Sequence, residues 1–256
     1  SNFLKRGYHQ LNHDVALQNL EVTFGIDRAG QVGQDGPTHH GAFDLSYLTC
    51  IPNLVVGAPA SENACRQMLY TAFLHEGPAA IRYPRGTGPG APIDEQMSEW
   101  EIGRAALILQ GEDVAILNFG ALLGEAVSAG RDIGATVVDM RWVKPMDEHM
   151  VLEMARNHRL LVTVEENAVA GGAGAAVNTL LARCNVSTAL LNLGLPDHFV
   201  EHGSPEEQKS WTGLDAEGMR RSVQRRLDKL GETSSNIITA GNQGQSEGSQ
   251  TLSNRR

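Results

Sequence analysis

Hydrophobic residues in the first third of the chain recur with the spacings of β-strands and of one helix. Between Leu20 and Asp27 hydrophobic and polar residues alternate, as in a half-buried strand, and Arg28 follows at its carboxyl end. Ser61 followed by Glu62 is typical of a helix start, and Gly77-Pro78 ends the helical spacing. The pattern predicts a strand over 20–27, a strand over 53–59, a helix from Ser61 to about His75 and a strand over 79–83.

The alternation of strands and helices continues after a segment rich in glycine and proline. Residues 86–93 (GTGPGAPI) fit an extended connection, so we place a domain boundary there. Beyond it we predict strands over 113–119, 135–143, 160–165 and 189–193, with helices to about Asp132, over 147–158, after a glycine turn at 171–174, and over 215–230 from an Asp215 cap to Gly231. This order implies right-handed crossovers and an α/β fold of two domains with mostly parallel sheets.

The predicted domains are residues 1–93 and residues 94–232. After residue 232 the chain consists largely of Ser, Gly, Gln, Asn and Thr, with little hydrophobic surface to bury. We therefore predict that residues 233–256 form a disordered tail.

The composition and net charge of the chain argue against some classes of binding partner, chiefly polyanions. The chain has 256 residues with 21 Lys and Arg against 30 Asp and Glu, a formal charge of −9, so we expect neither a nucleic-acid partner nor an anionic membrane partner. No apolar run approaches the ~20 residues that cross a bilayer, and the first residues lack the apolar core of a secretory signal. Cys50, Cys65 and Cys184 are too few and too scattered for a disulfide framework or a zinc site, which favours a reducing compartment.

The segment IDRAGQVGQDGPTHHGAFD after the first strand is unusually dense in functional groups. Ligands of parallel sheets collect at the carboxyl ends of strands, and this segment places Arg28, Asp35, His39 and His40 there among several glycines. A solvated loop would have the same composition, so the residues alone leave both interpretations open. Of the two adjacent histidines one must usually point away, and a structural role suits His40 better than His39.

Long consecutive motifs make this chain resemble the 1-deoxy-D-xylulose-5-phosphate synthases, thiamine-diphosphate enzymes related to transketolase. The motifs are IDRAGQVGQDGPTHHGAFDLSYL, CIPNLVVGAP, IRYPRG, VDMRWVKPMD, VTVEENAVAGGAG and LNLGLPDHF, and the resemblance runs from Ser1 to about Leu230. It implies a truncated pyrimidine-binding domain followed by the transketolase carboxyl-terminal domain. It also implies that the domain holding the diphosphate and Mg²⁺, with the pyrimidine-activating glutamate, lies outside this chain, so we expect the chain alone to be inactive.

The resemblance implies a reaction and its partners. Pyruvate and glyceraldehyde 3-phosphate are joined with loss of CO₂, a step in the supply of isoprenoid and thiamine precursors, and thiamine diphosphate supplies the demanding chemistry. The full-length enzyme is expected to be a homodimer. The expected compartment is the cytoplasm, or a plastid if the source is a photosynthetic eukaryote.

By resemblance, arginines bind the triose phosphate. Arg28 and Arg85 match the family's phosphate-binding positions, a task that suits the fixed fork of donors on a guanidinium. Arg82 in the same RYPR run is the competitor, but on a strand it does not share a face with Arg85. Arg6 matches a further polar contact of the pocket, although a surface arginine would look the same.

The remaining implied roles concern protons and the cofactor. His39 matches the family's proton-transfer histidine, and an unperturbed imidazole titrates near neutrality. Asp35 matches its acidic neighbour, which also holds the substrate. Phe3 matches the residue that stacks on the aminopyrimidine, whereas composition alone would make it a core aromatic. No residue of this chain is expected to bind a metal.

Other groups are weaker candidates. The glycines at 171–174 could bind an anion at a helix terminus, but close packing of the turn is favoured because the complete nucleotide-binding motifs are absent. Glu165 and Glu166 are expected at an interface. No metal-ligand spacing is found for four other histidines, which we expect to be structural or solvated: His149, His158, His198 and His202.

Two other functions remain open from the sequence. One is a β subunit of a 2-oxo-acid dehydrogenase, whose diphosphate-binding domain is a separate chain, although the DGPTHHGAFDLSYL run argues against it. The other is a non-catalytic assembly module that keeps the fold without a working site, which the set of Arg28, Asp35, His39 and Arg85 argues against.

Overall fold

The computed structural model describes residues 1–232. The predicted tail over 233–256 lies outside the described residues. The chain divides into a compact unit, Ser1–Arg220, and a second unit that begins at Arg221, of which residues 221–232 are helical. No helix within the described part is long and apolar enough to cross a lipid bilayer.

The first unit alternates strands with helices, as predicted. Its strands are β1 (Thr23–Ala29), β2 (Val55–Gly57), β3 (Ala79–Pro84), β4 (Ala106–Leu109), β5 (Val114–Phe119), β6 (Thr136–Asp139), β7 (Trp142–Lys144), β8 (Leu160–Ala168) and β9 (Ala189–Leu195). Its helices are α1 (Tyr8–Gln10), α2 (Asp44–Leu48), α3 (Glu62–Leu74), α4 (Leu123–Ile133), α5 (Glu148–Asn157), α6 (Ala173–Arg183) and α7 (Pro205–Thr212), with residues 216–220 also helical. A 3₁₀ turn over Asn2–Arg6 and a π-helical turn over Leu11–Ala16 flank α1.

The first sheet has the strand order β1-β3-β2-β7. Strands β1, β3 and β2 run parallel, and α3 crosses from β2 to β3, which confirms the predicted strand-helix-strand unit. The cap of α3 is as expected, because the Ser61 side chain accepts a hydrogen bond from the backbone of Ala64 at 3.2 Å. β1 stands at one edge, and only part of it is buried.

The second sheet has the order β4-β6-β5-β8-β9, in which β6, β5, β8 and β9 are parallel. Every residue of β5 and nearly all of β8 are buried, as expected for strands covered by helices on both faces. The predicted helix over 147–158 is α5, and Asp147 caps it by accepting a hydrogen bond from Met150 N at 3.0 Å. The two sheets confirm the predicted α/β class with mostly parallel strands.

One predicted strand is wrong in an informative way. The hydrophobic run over 135–143 forms not one strand but two, β6 and β7, because Arg141 has a positive φ of 58° that turns the chain between them. β6 lies in the second sheet, whereas β7 pairs antiparallel with β2 of the first sheet. The predicted boundary at residue 93 remains a prediction, since sheet membership crosses it.

The sequence pattern did not predict α2, β4 or α7, and one predicted helix end is wrong. β4 is a four-residue apolar run, ALIL, that lies half exposed at the edge of its sheet and pairs antiparallel with β6. α7 has a recognisable signal, since Ser204 and Glu207 form a capping box with Pro205 at the first turn. Gly231 does not end the last helix, because the described residues stay helical through residue 232 and one glycine costs a helix only about 1 kcal/mol.

Candidate functional site

The predicted site loop, residues 30–43, leaves the carboxyl end of β1 and is closed at its base. Gly30 and Gly41 exchange two backbone hydrogen bonds of 3.0 and 2.8 Å. Gly30 has φ 70°, and a Cβ there would lie 2.7 Å from the Cβ of Glu166, so the position requires glycine. The closed base brings the residues between the two glycines back beside the end of the sheet.

Three of the predicted site residues form one charged cluster. Asp35 Oδ2 lies 3.0 Å from Arg28 Nη1 and 3.4 Å from Arg85 Nη1. Arg85 Nη1 also donates to the carbonyl of Val32 at 3.0 Å. Arg28 Nε also lies 3.9 Å from Asp27 Oδ2, and the side chains of Arg28 and Arg85 remain nearly half exposed to solvent. Such a cluster can bind a phosphate group.

Arg82 and Arg85 of the RYPR run have different environments. Arg82 is buried in β3, where its Nε donates to Asp44 Oδ1 at 2.9 Å. Its Nη2 donates to the carbonyls of Gly41 and Glu166 at 3.1 and 2.6 Å. Arg85 follows the end of the strand and is accessible. The structure therefore leaves Arg85 available to a ligand, while all the contacts of Arg82 are internal.

The side chains of His39 and Phe3 contact each other. Their ring centroids are 5.5 Å apart with an interplanar angle of 79°, an edge-on contact. Phe3 is 60% exposed, so the alternative that it is a core aromatic is wrong. His39 Nδ1 shares a hydrogen bond of 2.9 Å with Thr38 Oγ1, and the Asn2 side chain donates to the carbonyl of Thr38, which ties the two segments together.

Arg6 has no polar contact with the other predicted site residues. It ends the 3₁₀ turn over Asn2–Arg6, is exposed, and makes no hydrogen bond or ion pair with the described residues. The contact of Arg6 with a substrate therefore remains a prediction.

His40 anchors the loop rather than facing a ligand. Its Nδ1 accepts from the backbone N–H of Val32 at 3.1 Å, so its Nε2 carries the proton and donates to the carbonyl of Val200, also at 3.1 Å. Burial lowers the pKa of His40, which favours the neutral ring that this arrangement needs. The structural role expected for His40 fits these contacts.

Gln208 is a site-supporting residue that the sequence analysis missed. Its side-chain oxygen accepts from Gly33 N at 2.9 Å, and its side-chain nitrogen donates to Gly33 O at 3.0 Å. Gln208 is fully buried, and its backbone carbonyl accepts from the side chain of Gln31 at 3.2 Å. No local motif marks this residue, because its partner lies 175 positions away in the sequence.

The amides of the glycine turn at 171–174, which could have bound an external anion, donate instead to the side chain of Glu165. The Glu165 carboxylate accepts from Ala173 N at 2.8 Å and Gly174 N at 2.9 Å, the first amides of α6. A Cβ on Gly172 would lie 2.3 Å from Glu165 Oε2, which explains the glycine by close packing. Burial raises the pKa of Glu165 to about 7, and these hydrogen bonds oppose the rise. Burial likewise raises the pKa of Glu166 to about 7.

A large cavity of about 1290 Å³ adjoins the cluster. Arg85 and Glu166 line it together with the exposed Phe73, whereas Asp35, His39 and Phe3 do not. Lys209, on α7, forms an ion pair with Glu125 in its wall. The cavity thus shares only Arg85 with the predicted site.

The described residues fit one part of thiamine diphosphate better than the other. The exposed ring of Phe3 offers a face for an aromatic ring. Within residues 1–232, no group of three or more His, Cys, Asp or Glu is arranged to hold a metal ion. The three cysteines are free.

Family models match most of the chain. The model described as "Transketolase, pyrimidine binding domain" matches residues 1–90, and the model described as "Transketolase, C-terminal domain" matches residues 103–219.

Curated relatives are similar over nearly all of the described length. The chain is 56% identical over 231 residues to the 1-deoxy-D-xylulose-5-phosphate synthase of Pseudomonas syringae pv. syringae (strain B728a) and 58% identical over 231 residues to that of Pseudomonas putida (strain F1). Each alignment covers 90% of this chain but 37% of the relative. The chain therefore spans well under half the length of these relatives.

Solved structures agree with the fold. A chain described as "Split gene transketolase, inactive beta4 tetramer" matches with a TM-score of 0.78 and 28% identity, covering 89% of this chain and 73% of that one. The transketolase of Campylobacter jejuni matches with a TM-score of 0.65 and 13% identity over 88% of this chain and 34% of that one, which bears on the fold alone.

Proposed function

Because the chain belongs to the 1-deoxy-D-xylulose-5-phosphate synthases of the transketolase-like family, we propose that it supplies the acceptor-binding half of an active site that joins pyruvate to glyceraldehyde 3-phosphate with loss of CO₂. The observation that carries the proposal is the contact of Asp35 with both Arg28 and Arg85. Asp35 lies on the loop that also bears His39, whose ring contacts the exposed Phe3. The product is 1-deoxy-D-xylulose 5-phosphate.

In this proposal the arginines bind the phosphate of the acceptor. Arg28 and Arg85 present their guanidiniums from two different segments, and Asp35 holds both by its Oδ2. The shared carboxylate orients the two forks before the ligand arrives, which lowers the entropy lost on binding. A phosphate dianion then receives donors from both sides.

His39 is proposed to hold or move a proton at the reacting oxygen of the acceptor aldehyde. It is half-buried and fixed by Thr38 on one side and by the edge of Phe3 on the other. Geometry of this kind keeps one ring nitrogen directed outward for proton transfer.

Thiamine diphosphate, when bound, supplies the carbanion chemistry of the reaction. Phe3 is the residue of this chain proposed to stack on its pyrimidine ring, and Arg6 is a further proposed polar contact. The ligands of Mg²⁺ and of the diphosphate are proposed to come from the part of the synthase that the relatives carry beyond the 37% matched here. A homodimer is proposed for the whole enzyme.

A two-chain arrangement of the same activity is a second candidate. This chain covers 73% of the split gene transketolase chain, which is described as an inactive β4 tetramer, but only 37% of the Pseudomonas syringae synthase. By analogy, the missing half would come from a separate subunit.

The test exchanges matching segments. This chain replaces the aligned 231 residues of the Pseudomonas syringae synthase, and the chimera is assayed with Mg²⁺, thiamine diphosphate, pyruvate and glyceraldehyde 3-phosphate. We expect the chimera to make 1-deoxy-D-xylulose 5-phosphate, and the chain alone to make none and to bind thiamine diphosphate weakly. A folded chimera that binds thiamine diphosphate but makes no product would contradict the proposal. Product formation by the chain alone would contradict the proposal that the chain carries only part of the active site. If the chimera transferred the two-carbon unit of pyruvate to a lipoyl group instead of to the triose phosphate, the result would favour the alternative function, a β subunit of a 2-oxo-acid dehydrogenase.

A further inference from the structure

We infer that the buried Arg82–Asp44 pair is the positioning element that holds the segments of the proposed site in register. The Arg82 side chain is 2% exposed and that of Asp44 is fully buried, with Nε and Oδ1 2.9 Å apart. Arg82 also donates to the carbonyls of Gly41 and Glu166. The inference deepens the proposed function and rests on it for the roles of the groups being positioned.

The contacts of this pair reach every segment that carries a proposed site residue. Gly41 closes the base of the loop that bears Asp35 and His39. Asp44 Oδ2 accepts from Ser1 Oγ at 2.8 Å, and Ser1 lies two residues before the proposed stacking residue Phe3.

The other end of the network is the strand that leads to the phosphate-binding arginine. Arg82 belongs to β3, three residues before Arg85. Its bond to the carbonyl of Glu166 attaches the same guanidinium to β8 of the second sheet. One side chain therefore links the two sheets to both site segments.

The residue types suit positioning better than stability. The planar guanidinium presents donors to three acceptors in fixed directions, which the single ammonium of a lysine cannot reproduce. A buried ion pair is often replaced by uncharged residues of similar shape without loss of stability, whereas removing one partner leaves a buried charge. The pair can thus be removed as a unit while the fold is retained.

The test compares two double variants. R82M/D44N removes both charges and the donors to Gly41 and Glu166. D139N/R141M is the matched control, because Arg141 Nε lies 3.9 Å from Asp139 Oδ2 in a pair that contacts no proposed site residue.

Hydrogen exchange of the chain itself, without substrate, is the first measurement. In R82M/D44N we expect amides over 30–41 to exchange about tenfold faster or more, while those over 114–119 and 160–164 keep their protection. The control should leave residues 30–41 unchanged. Unchanged exchange over 30–41 in R82M/D44N would overturn the inference whatever the enzyme does.

The second measurement uses the chimera. We expect R82M/D44N to raise the KM for glyceraldehyde 3-phosphate about ten- to a hundredfold and to change the KM for pyruvate less than about twofold, since misplacement of binding groups is costly. An equal rise in the KM values for both substrates would overturn the positioning role. A chimera without activity before any substitution would instead refute the proposed function and leave the exchange result to stand.

A single variant keeps the inference testable if the double variant unfolds. R82K retains the positive charge beside Asp44 but reaches fewer of the three acceptors. We expect faster exchange over 30–41 in R82K with little change over 114–119. Exchange equal to that of the unaltered chain in R82K would mean that the guanidinium fork is not the positioning element.

Discussion

The carboxylate of Glu165 accepts a hydrogen bond of 2.8 Å from the backbone N–H of Ala173, the first residue of α6. A helix amino terminus attracts anions because its first amides are unpaired and its dipole is positive there. Glu165 is supplied by the strand that precedes the turn, so the glycine-rich turn serves packing. This arrangement buries the carboxyl group of Glu165, and burial raises its pKa, so the stability of the fold should depend on pH.

Stability should fall as pH rises through the titration of this carboxyl. The folded chain raises the pKa of Glu165 to about 7 from its usual value near 4.5, so it keeps a proton that the unfolded chain releases first. The free energy of unfolding should therefore decrease from about pH 4.5 to about pH 7, by on the order of 3 kcal/mol from this group, and then level off.

Glu165→Gln tests this dependence by chemical denaturation at several pH values. The variant should show a smaller slope between pH 5 and 7, and the slope that remains should include Glu166 and Asp139, since burial raises their pKa values to about 7 and about 6. Glu112→Gln, at an exposed position, is the control and should keep the original slope. A slope unaffected by Glu165→Gln would show that its burial is not coupled to folding.

Arg85→Ala in the chimera should weaken binding of the triose phosphate. Arg85 is proposed to contact a phosphate that is remote from the reacting carbons. Its loss should therefore raise the KM for glyceraldehyde 3-phosphate about ten- to a hundredfold and leave the KM for pyruvate nearly unchanged. Arg104→Ala, an exposed arginine paired with Glu101, serves as control. Steady-state kinetics with each substrate varied in turn make the comparison. The assignment fails if both variants have the same KM.

His39→Ala should lower the chemical rate rather than binding. A group that holds or moves a proton as charge develops contributes on the order of 10² to 10⁴ in kcat. His149→Ala removes an exposed histidine near Glu153 and should leave kcat unchanged. Measurement of kcat at saturating substrates separates the two. A normal kcat in His39→Ala would make His39 a loop residue without a catalytic role.

The first ~95 residues should open more readily than the rest of the first unit. β1 stands at the edge of its sheet and is only partly buried, whereas β5 is buried throughout and has a parallel neighbour on each side. An edge strand with an unpaired side is the first to exchange its amides. Hydrogen exchange should be faster over 23–29 than over 114–119 and 160–164. Equal protection of the two sheets would refute this.

The sequence alone predicted those elements whose signals are local. The cap at Ser61 and the parallel strand-helix order depend on nearest neighbours and on hydrophobic spacing, which the chain carries within a few residues. The density of charged residues between Arg28 and His39 likewise marked the site loop. The motifs that resemble the synthase family supplied the individual roles, which remain predictions.

Tertiary structure decided what depends on contacts between distant residues. Strand alternation places Arg82 and Arg85 on different faces, but only the fold shows that Arg82 is the buried one, and only the fold brings Gln208 onto Gly33 across 175 positions. The positive φ of Arg141 splits one hydrophobic run between two sheets, which no periodicity could reveal. The physical reason is the same in each case: hydrophobic spacing specifies which face of an element is buried, whereas the partner of a buried polar group is set by which distant acceptor the packed chain brings within hydrogen-bonding distance.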